Sequence, residues 1–244
     1  MSAPAIAARG LAAGYNRHPV LKDLDLHVAP GEVVALVGPN GAGKTTTLSA
    51  LAGVLPALDG HVEMAGVTRT NALHRRAHEG LGLVTEERAV FMRLAVRQNL
   101  AVAGASQGPA LELFPELGPL LSRRAGLLSG GEQQMLALAM ALGRSPRVLL
   151  IDELSLGLAP LVVTRLLDAV RTVASAGDIA VLLVEQKVEL ALRTADRIYV
   201  MRGGRVVLHG PAAEMAERVR ELEESYLGVD ATPTNENLTE GANT

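Results

Sequence analysis

The run Gly38-Pro39-Asn40-Gly41-Ala42-Gly43-Lys44-Thr45, with Thr46 next, is where this sequence first offers chemistry. It matches G-x-x-x-x-G-K-[ST], a pattern whose glycines let successive backbone N–H groups turn inward around an anion. "VVALV" before it is apolar at every position, as expected for a parallel strand covered on both faces. A helix starting at Lys44 would aim the positive end of its dipole at the loop. Lys44 could then reach the β- and γ-phosphates of a nucleotide, and the Thr45 hydroxyl could ligate Mg2+. An ordinary glycine turn explains the glycines but not the lysine, in a chain whose only lysines are Lys22, Lys44 and Lys187.

"VLLIDE" offers the complement. Val148 to Ile151 read as a strand expected to lie beside the phosphate-loop strand, with Asp152 at its carboxyl end, where open α/β sheets bind ligands. Asp152 can hold Mg2+, and Glu153 can polarise an attacking water as general base. Two acids after an apolar strand also fit a solvated strand end. The upstream cradle favours the chemical reading.

"LSGGEQQ", Leu128 to Gln134, is a second small-residue loop opening a second helix. Ser129 is a good N-cap, and Glu132 three residues later completes a capping box. A well-capped core helix accounts for Ser129 and Glu132. It does not account for Gly130 and Gly131, which cost about 1 kcal/mol each in a first turn.

The elements that must position these groups alternate. Strands are expected over 5–8, 25–28, 32–37, 61–64 and 81–85, with a helix over 44–52. From 96 to 128, Gly and Pro break the chain into short helices without strand signal, suggesting an inserted helical subdomain. The alternation resumes with helix 131–142, strand 148–152, helix 160–176, strand 179–184 and helix 187–195. Two short strands follow, 197–201 and 205–209, meeting at Gly203-Gly204, and then a charged helix from Ala212. The expected fold is α/β, a P-loop core with N-terminal antiparallel strands and the helical insertion. It divides into 1–87, 88–128, 129–228 and a disordered polar tail, 229–244.

Apolar residues at 48% suffice for a full core, while a net charge of −3 gives no basic face for nucleic acid. Without cysteine there are no disulfides or thiolate metal sites, which fits a reducing compartment. The N-terminus lacks a secretory pattern, and "LALAMAL" and "IAVLLV" fall short of the ~20 apolar residues that cross a bilayer. A soluble chain is expected, with any membrane role exercised through a partner.

Taken together, "GPNGAGKTT", "LSGGEQQ" and "VLLIDE", in that order, resemble the nucleotide-binding subunits of ABC transporters, over roughly 5–228. The resemblance implies that two identical or homologous ATPase subunits pack head to tail. Ser129, Gly130, Gly131 and Glu132 would then close over the ATP held by the partner's phosphate loop. It implies that Tyr15 stacks on adenine, against the alternative of a core tyrosine. Glu86 in "LVTEER" stands where most of the superfamily has a glutamine that reaches Mg2+ and the attacking water. Gln186 in "LVEQK" stands where most have a switch histidine. An ionised carboxylate at 86 only accepts hydrogen bonds but binds Mg2+ more strongly than an amide. A glutamine at 186 can donate to a γ-phosphate but has no proton to lose near neutral pH.

"TEERAVF", "SLGLAP", "LLVEQ" and "SYLG" together are similar to the ATPases of branched-chain amino acid importers. The resemblance implies ATP and Mg2+, integral membrane permease subunits, an indirectly coupled solute-binding protein and a peripheral place on the cytoplasmic face of the membrane. Leu154, where a proline usually follows the base, departs from the group, as does the short helical subdomain. Other cargoes (urea, amides, other amino acids), a non-transport ABC ATPase and a regulatory module without turnover are the competing readings. Glu153 argues against the last.

Overall fold

The computed structural model describes residues 3–70, 72–177 and 179–227. The expected tail, 229–244, lies outside the described residues. Two sheets share the core. An antiparallel sheet has the order β2-β1-β4-β5: β1 is Ile6–Tyr15, β2 His18–Val28, β4 Ala57–Met64 and β5 Val67–Arg69. A six-stranded sheet has the order β10-β9-β3-β8-β7-β6, with β3 Val33–Val37, β6 Leu81–Val84, β7 Val148–Asp152, β8 Ala180–Val184, β9 Arg197–Arg202 and β10 Arg205–Pro211. Its ladders are parallel except at β10, which returns antiparallel to β9.

The strand carrying Asp152 does not lie beside the phosphate-loop strand. β8 separates them, pairing with β3 on one side and β7 on the other. β7 and β8 are both buried at all five residues, as parallel strands covered on both faces are, so composition does not rank them and only the pairing sets the order. Asp152 reaches the cradle instead through α1 (Lys44–Ala52). Leu48 and Leu51 of α1 pack in one cluster with Val34, Leu36, Val148, Leu150 and Leu182, so the helix crosses over all three strands.

Other differences have local causes. β1 and β2 run much longer than 5–8 and 25–28 because register shifts absorb the polar and glycine positions that interrupt their alternation. Asn16 and Arg17, at φ 50° and 64°, make the tight hairpin turn between them. β5 and a helix α2 (Leu73–His78) were not expected; both are short and largely exposed, leaving little apolar pattern.

Within 96–128 lie α3 (Val96–Val102), α4 (Gln107–Leu113) and two 3-10 turns, Pro115–Leu120 and Ala125–Leu127. They bury Leu100, Phe114, Leu117 and Leu120 against α5 (Gly130–Leu142) and α6 (Pro160–Gly177). α7 (Val188–Thr194) and α8 (Ala212–Leu227) close the opposite flank over Val37, Ile198 and Val200. Among the described residues no helix is long and apolar enough to cross a membrane.

Candidate functional site

β3 delivers the chain into the phosphate loop, and Gly43 turns it into α1. Gly43 holds φ 105°, a left-handed value that side chains resist, and a Cβ there would lie 2.9 Å from Leu21 Cδ2. Lys44, 5% exposed, folds back so that Nζ donates to the carbonyls of Gly38 (2.9 Å) and Pro39 (3.1 Å). Burial lowers its pKa, while Glu153 and Asp152 oppose the fall. Those two carboxylates therefore stand close enough to act on the Lys44 ammonium. Lys44 of the cradle, Asp152 and Glu153 are thus brought together.

Asp152 is buried at the end of β7. Burial raises its pKa; the Thr45 hydroxyl, hydrogen-bonded to it, pulls the other way, and Glu153 and Glu86 push it further up. Its Oδ1 is a buried oxygen with no hydrogen-bond partner among the described residues. A hard anionic oxygen waiting beside a threonine hydroxyl suits Mg2+, which takes one or two protein oxygens and fills its octahedron with water and phosphate. Glu86 is exposed but near enough to act on Asp152.

Glu153 sits at φ 47°. A non-glycine residue there carries roughly 1–3 kcal/mol of strain, tolerated only where neighbours fix it. Its N–H donates to Val184 O (3.0 Å), and its Oε1 accepts from Gln186 Nε2 at 2.6 Å. In this structure Gln186 thus holds the Glu153 carboxylate. Leu154, at 1% exposure, is a core residue of the cluster under α5 and α6, which is what the position gains in place of a proline.

The second loop has its capping box closed in both directions: Ser129 N–H donates to Glu132 Oε2 (2.7 Å), and Glu132 N–H to Ser129 Oγ (3.3 Å). Its glycines also have packing reasons that sequence did not reveal. A Cβ on Gly131 would stand 2.7 Å from Val162 Cγ1, and one on Gly130 3.1 Å from an Arg88 guanidinium nitrogen. Ser129 is exposed and Gly131 buried. Tyr15, at the tip of the β1–β2 hairpin, is 53% exposed, which removes the core alternative.

Sequence reasoning missed Arg88 and Glu185. Arg88 donates to Gln133 Oε1 at 3.4 Å, and its guanidinium stands against Gly130. Glu185 is a carboxylate 1% exposed that accepts from Ser155. In "LLVEQK" it reads as a solvated strand end, so only its burial could reveal it. A concavity of about 810 Å3, lined by Pro30, Met64, Pro109, Leu142 and Ile179 among others, contains none of these residues. The phosphate site is defined by chemistry, not by depth.

The ABC transporter family model matches residues 21–155. The chain belongs to the ABC transporter family. It is an ABC-type ATPase subunit of a transporter, binding and hydrolysing ATP. It is 38% identical to the high-affinity branched-chain amino acid transport ATP-binding protein BraG of Pseudomonas aeruginosa, over 88% of this chain and 95% of that one. The probable branched-chain amino acid transport ATP-binding protein LivF of Archaeoglobus fulgidus is 35% identical, over 90% and 97%. The lipopolysaccharide export system ATP-binding protein LptB of Escherichia coli is 31% identical, over 92% and 98%. Among solved structures, an ATP-binding subunit of an ABC transporter superposes with TM-score 0.77 at 26% identity, over 93% of this chain and 99% of the other.

Proposed function

We propose that this ABC ATPase works as a head-to-tail pair, with an identical or homologous subunit, and drives import of branched-chain amino acids through separate membrane subunits. The observation that carries the two-chain reading is that its two anion-facing loops have different neighbours. Leu21, Met201 and Gly204 pack on the phosphate loop, whereas Arg88 and Val162 pack on Gly130 and Gly131 of the second loop. In the proposed pair each loop offers half of a nucleotide site, and the two halves complete one another across the interface.

In that pair Tyr15 stacks on adenine. The loop from Gly38 to Thr46 (Gly38, Pro39, Asn40, Gly41, Ala42, Gly43, Lys44, Thr45, Thr46) wraps the phosphates. Lys44 leaves its two carbonyls for them, exchanging weak neutral acceptors for charged ones. Thr45, Asp152 and Glu86 are the oxygens that would hold Mg2+, which when bound neutralises charge on the β- and γ-phosphates. Glu153 accepts the proton of the attacking water, and Gln186 keeps that carboxylate aimed. Ser129, Gly130, Gly131 and Glu132 close over the partner's γ-phosphate from a helix N-terminus.

The import reading is supported by the Glu86 and Gln186 pair and by the higher identity to the branched-chain relatives. Lipopolysaccharide export is the second reading, supported by similarity to LptB along almost the full length. A groove of about 320 Å3 between edge strand β6, α2 and α5, lined by His78, Leu83, Ala103, Met140 and Arg144 among others, is the place we assign to a membrane-subunit segment. The chain would then sit peripherally on the cytoplasmic face, reaching a solute-binding protein only through the membrane subunits.

Glu153→Gln should trap an ATP-dependent dimer by size-exclusion chromatography while wild type hydrolyses; a variant that stays monomeric with Mg-ATP overturns the two-chain site. Co-purification from native membranes, followed by ATPase assays of the reconstituted complex, tests the cargo. Stimulation by binding protein loaded with leucine, isoleucine or valine supports import. Stimulation by lipopolysaccharide alone supports the second reading.

A further inference from the structure

Glu185 directly follows β8, and its side chain is buried beneath the segment that carries the base. Ser155 N–H donates to Oε1 (3.2 Å) and Ser155 Oγ–H to Oε2 (2.8 Å). Burial pushes its pKa up, so the fold holds this carboxylate at a cost that an apolar residue filling the space would avoid. What the carboxylate supplies is a tie between two loops. Ser155 follows Glu153 by two positions, and Gln186 follows Glu185 by one. The loop leaving β7 therefore grips the loop leaving β8 twice, through Ser155 to Glu185 and through Gln186 to Glu153.

That arrangement matters because Glu153 is strained. At φ 47° it is held on its N-terminal side by the bond from its own N–H to Val184 O. On its C-terminal side its carbonyl accepts from Leu156 N–H (3.3 Å) within the turn that follows, and Ser155 on Glu185 is the side-chain anchor that ties that turn to the end of β8. Released there, Glu153 can relax to an ordinary negative φ and carry its carboxylate away from Gln186. We infer that Glu185 is a positioning residue for ATP hydrolysis: through Ser155 it keeps Glu153 in the conformation from which its carboxylate meets the attacking water. This rests on Glu153 being the general base.

The test uses the full chain with Glu185→Ala, Glu185→Gln and Ser155→Ala, each with Glu153 present and with Glu153→Gln. A positioned base contributes roughly 10²–10⁴-fold, and loss of positioning forfeits part of that, so Glu185→Ala should lower kcat about 30-fold. KM and the affinity of the cradle for a fluorescent ATP analogue should stay within about twofold, since neither depends on the base. Glu185→Gln should recover most of the rate, because its amide oxygen can accept the Ser155 N–H and its amide nitrogen can hydrogen-bond Oγ.

Two readouts separate positioning from general damage. In the Glu153→Gln background Glu185→Ala should cause no further loss in single-turnover hydrolysis, since there is no base left to misplace. In nucleotide-free protein, hydrogen exchange of residues 150–158 should accelerate with Glu185→Ala and not with Glu185→Gln. Unchanged kcat, or equal losses with and without Glu153, would overturn the inference. Should Glu185→Ala fail to fold, Ser155→Ala decides by the same criteria, with an expected loss of about fivefold. Wild-type turnover in Glu153→Gln alone would instead overturn the assignment of the base.

Discussion

Asp152→Asn should move stability and ligand response in opposite directions. Asp152 is 6% exposed, its Oδ1 has no hydrogen-bond partner among the described residues, and its environment raises its pKa chiefly by burial. Without nucleotide the ionised carboxylate is therefore a local penalty, and a neutral side chain of the same shape relieves it while keeping an oxygen for Thr45. Asn puts an amide nitrogen where Oδ1 stood, so a buried polar atom stays unpaired and only its charge is relieved, a gain of about 1 kcal/mol. At this chain length 1 kcal/mol displaces Tm by about 2–4 °C, so the nucleotide-free variant should melt roughly 2–4 °C above wild type at neutral pH. Mg-ATP should reverse the order. Ligand saturating a site at a hundredfold excess over Kd adds about 2.7 kcal/mol, and most of that gain should be lost when the anion facing the cation is gone. Melts by scanning fluorimetry, with Mg-ATP and with ATP plus EDTA, read both effects; EDTA should bring wild type and variant to similar ligand gains. A nucleotide-free variant that melts below wild type, or gains as much from Mg-ATP, refutes the account of Asp152 as a carboxylate kept for a metal.

Gln186→Ala removes the 2.6 Å bond to Glu153 and should lower kcat about tenfold. Gln186→His should introduce a step in the kcat–pH profile between about pH 6 and 7 that wild type lacks. Gly131→Ala forces a methyl to within 2.7 Å of Val162 and should cost about 1–3 kcal/mol in urea denaturation, recovered when Val162→Ala is added. Tyr15→Ala should weaken nucleotide affinity by about 1–3 kcal/mol and Tyr15→Phe hardly at all, by calorimetric titration, with Tm unchanged because the ring is exposed. Glu185 has its pKa raised above the ordinary 4.5, so its favourable contribution belongs to the protonated form, is full below that value and is lost as pH rises through the folded-state value. Glu185→Gln should therefore flatten the fall of Tm with pH above about 4.5, and an unaltered slope would contradict this burial argument.

The sequence by itself determined what is local. The phosphate loop, the capping box at Ser129 and the acids ending "VLLID" are contiguous groups whose spacing dictates their geometry, and α1, α5 and β7 begin or end within a residue of where the pattern puts them. Continuous apolar runs identified β3, β7 and β8 because strands buried on both faces have no polar side to show. Tertiary structure decided everything that depends on who stands next to whom. Strand order was invisible because β7 and β8 have equally apolar sequences, and only pairing shows that β8 takes the place beside β3. Gly130 and Gly131 looked purely ligand-facing until Arg88 and Val162 supplied steric reasons for them. Glu185 and Gln186 are adjacent polar residues in the chain, yet one is sealed under Ser155 and the other turns to Glu153. A strand alternates its faces and a chain does not announce which face is covered, so the fate of a carboxylate at a strand end is settled only when the neighbouring loop folds over it.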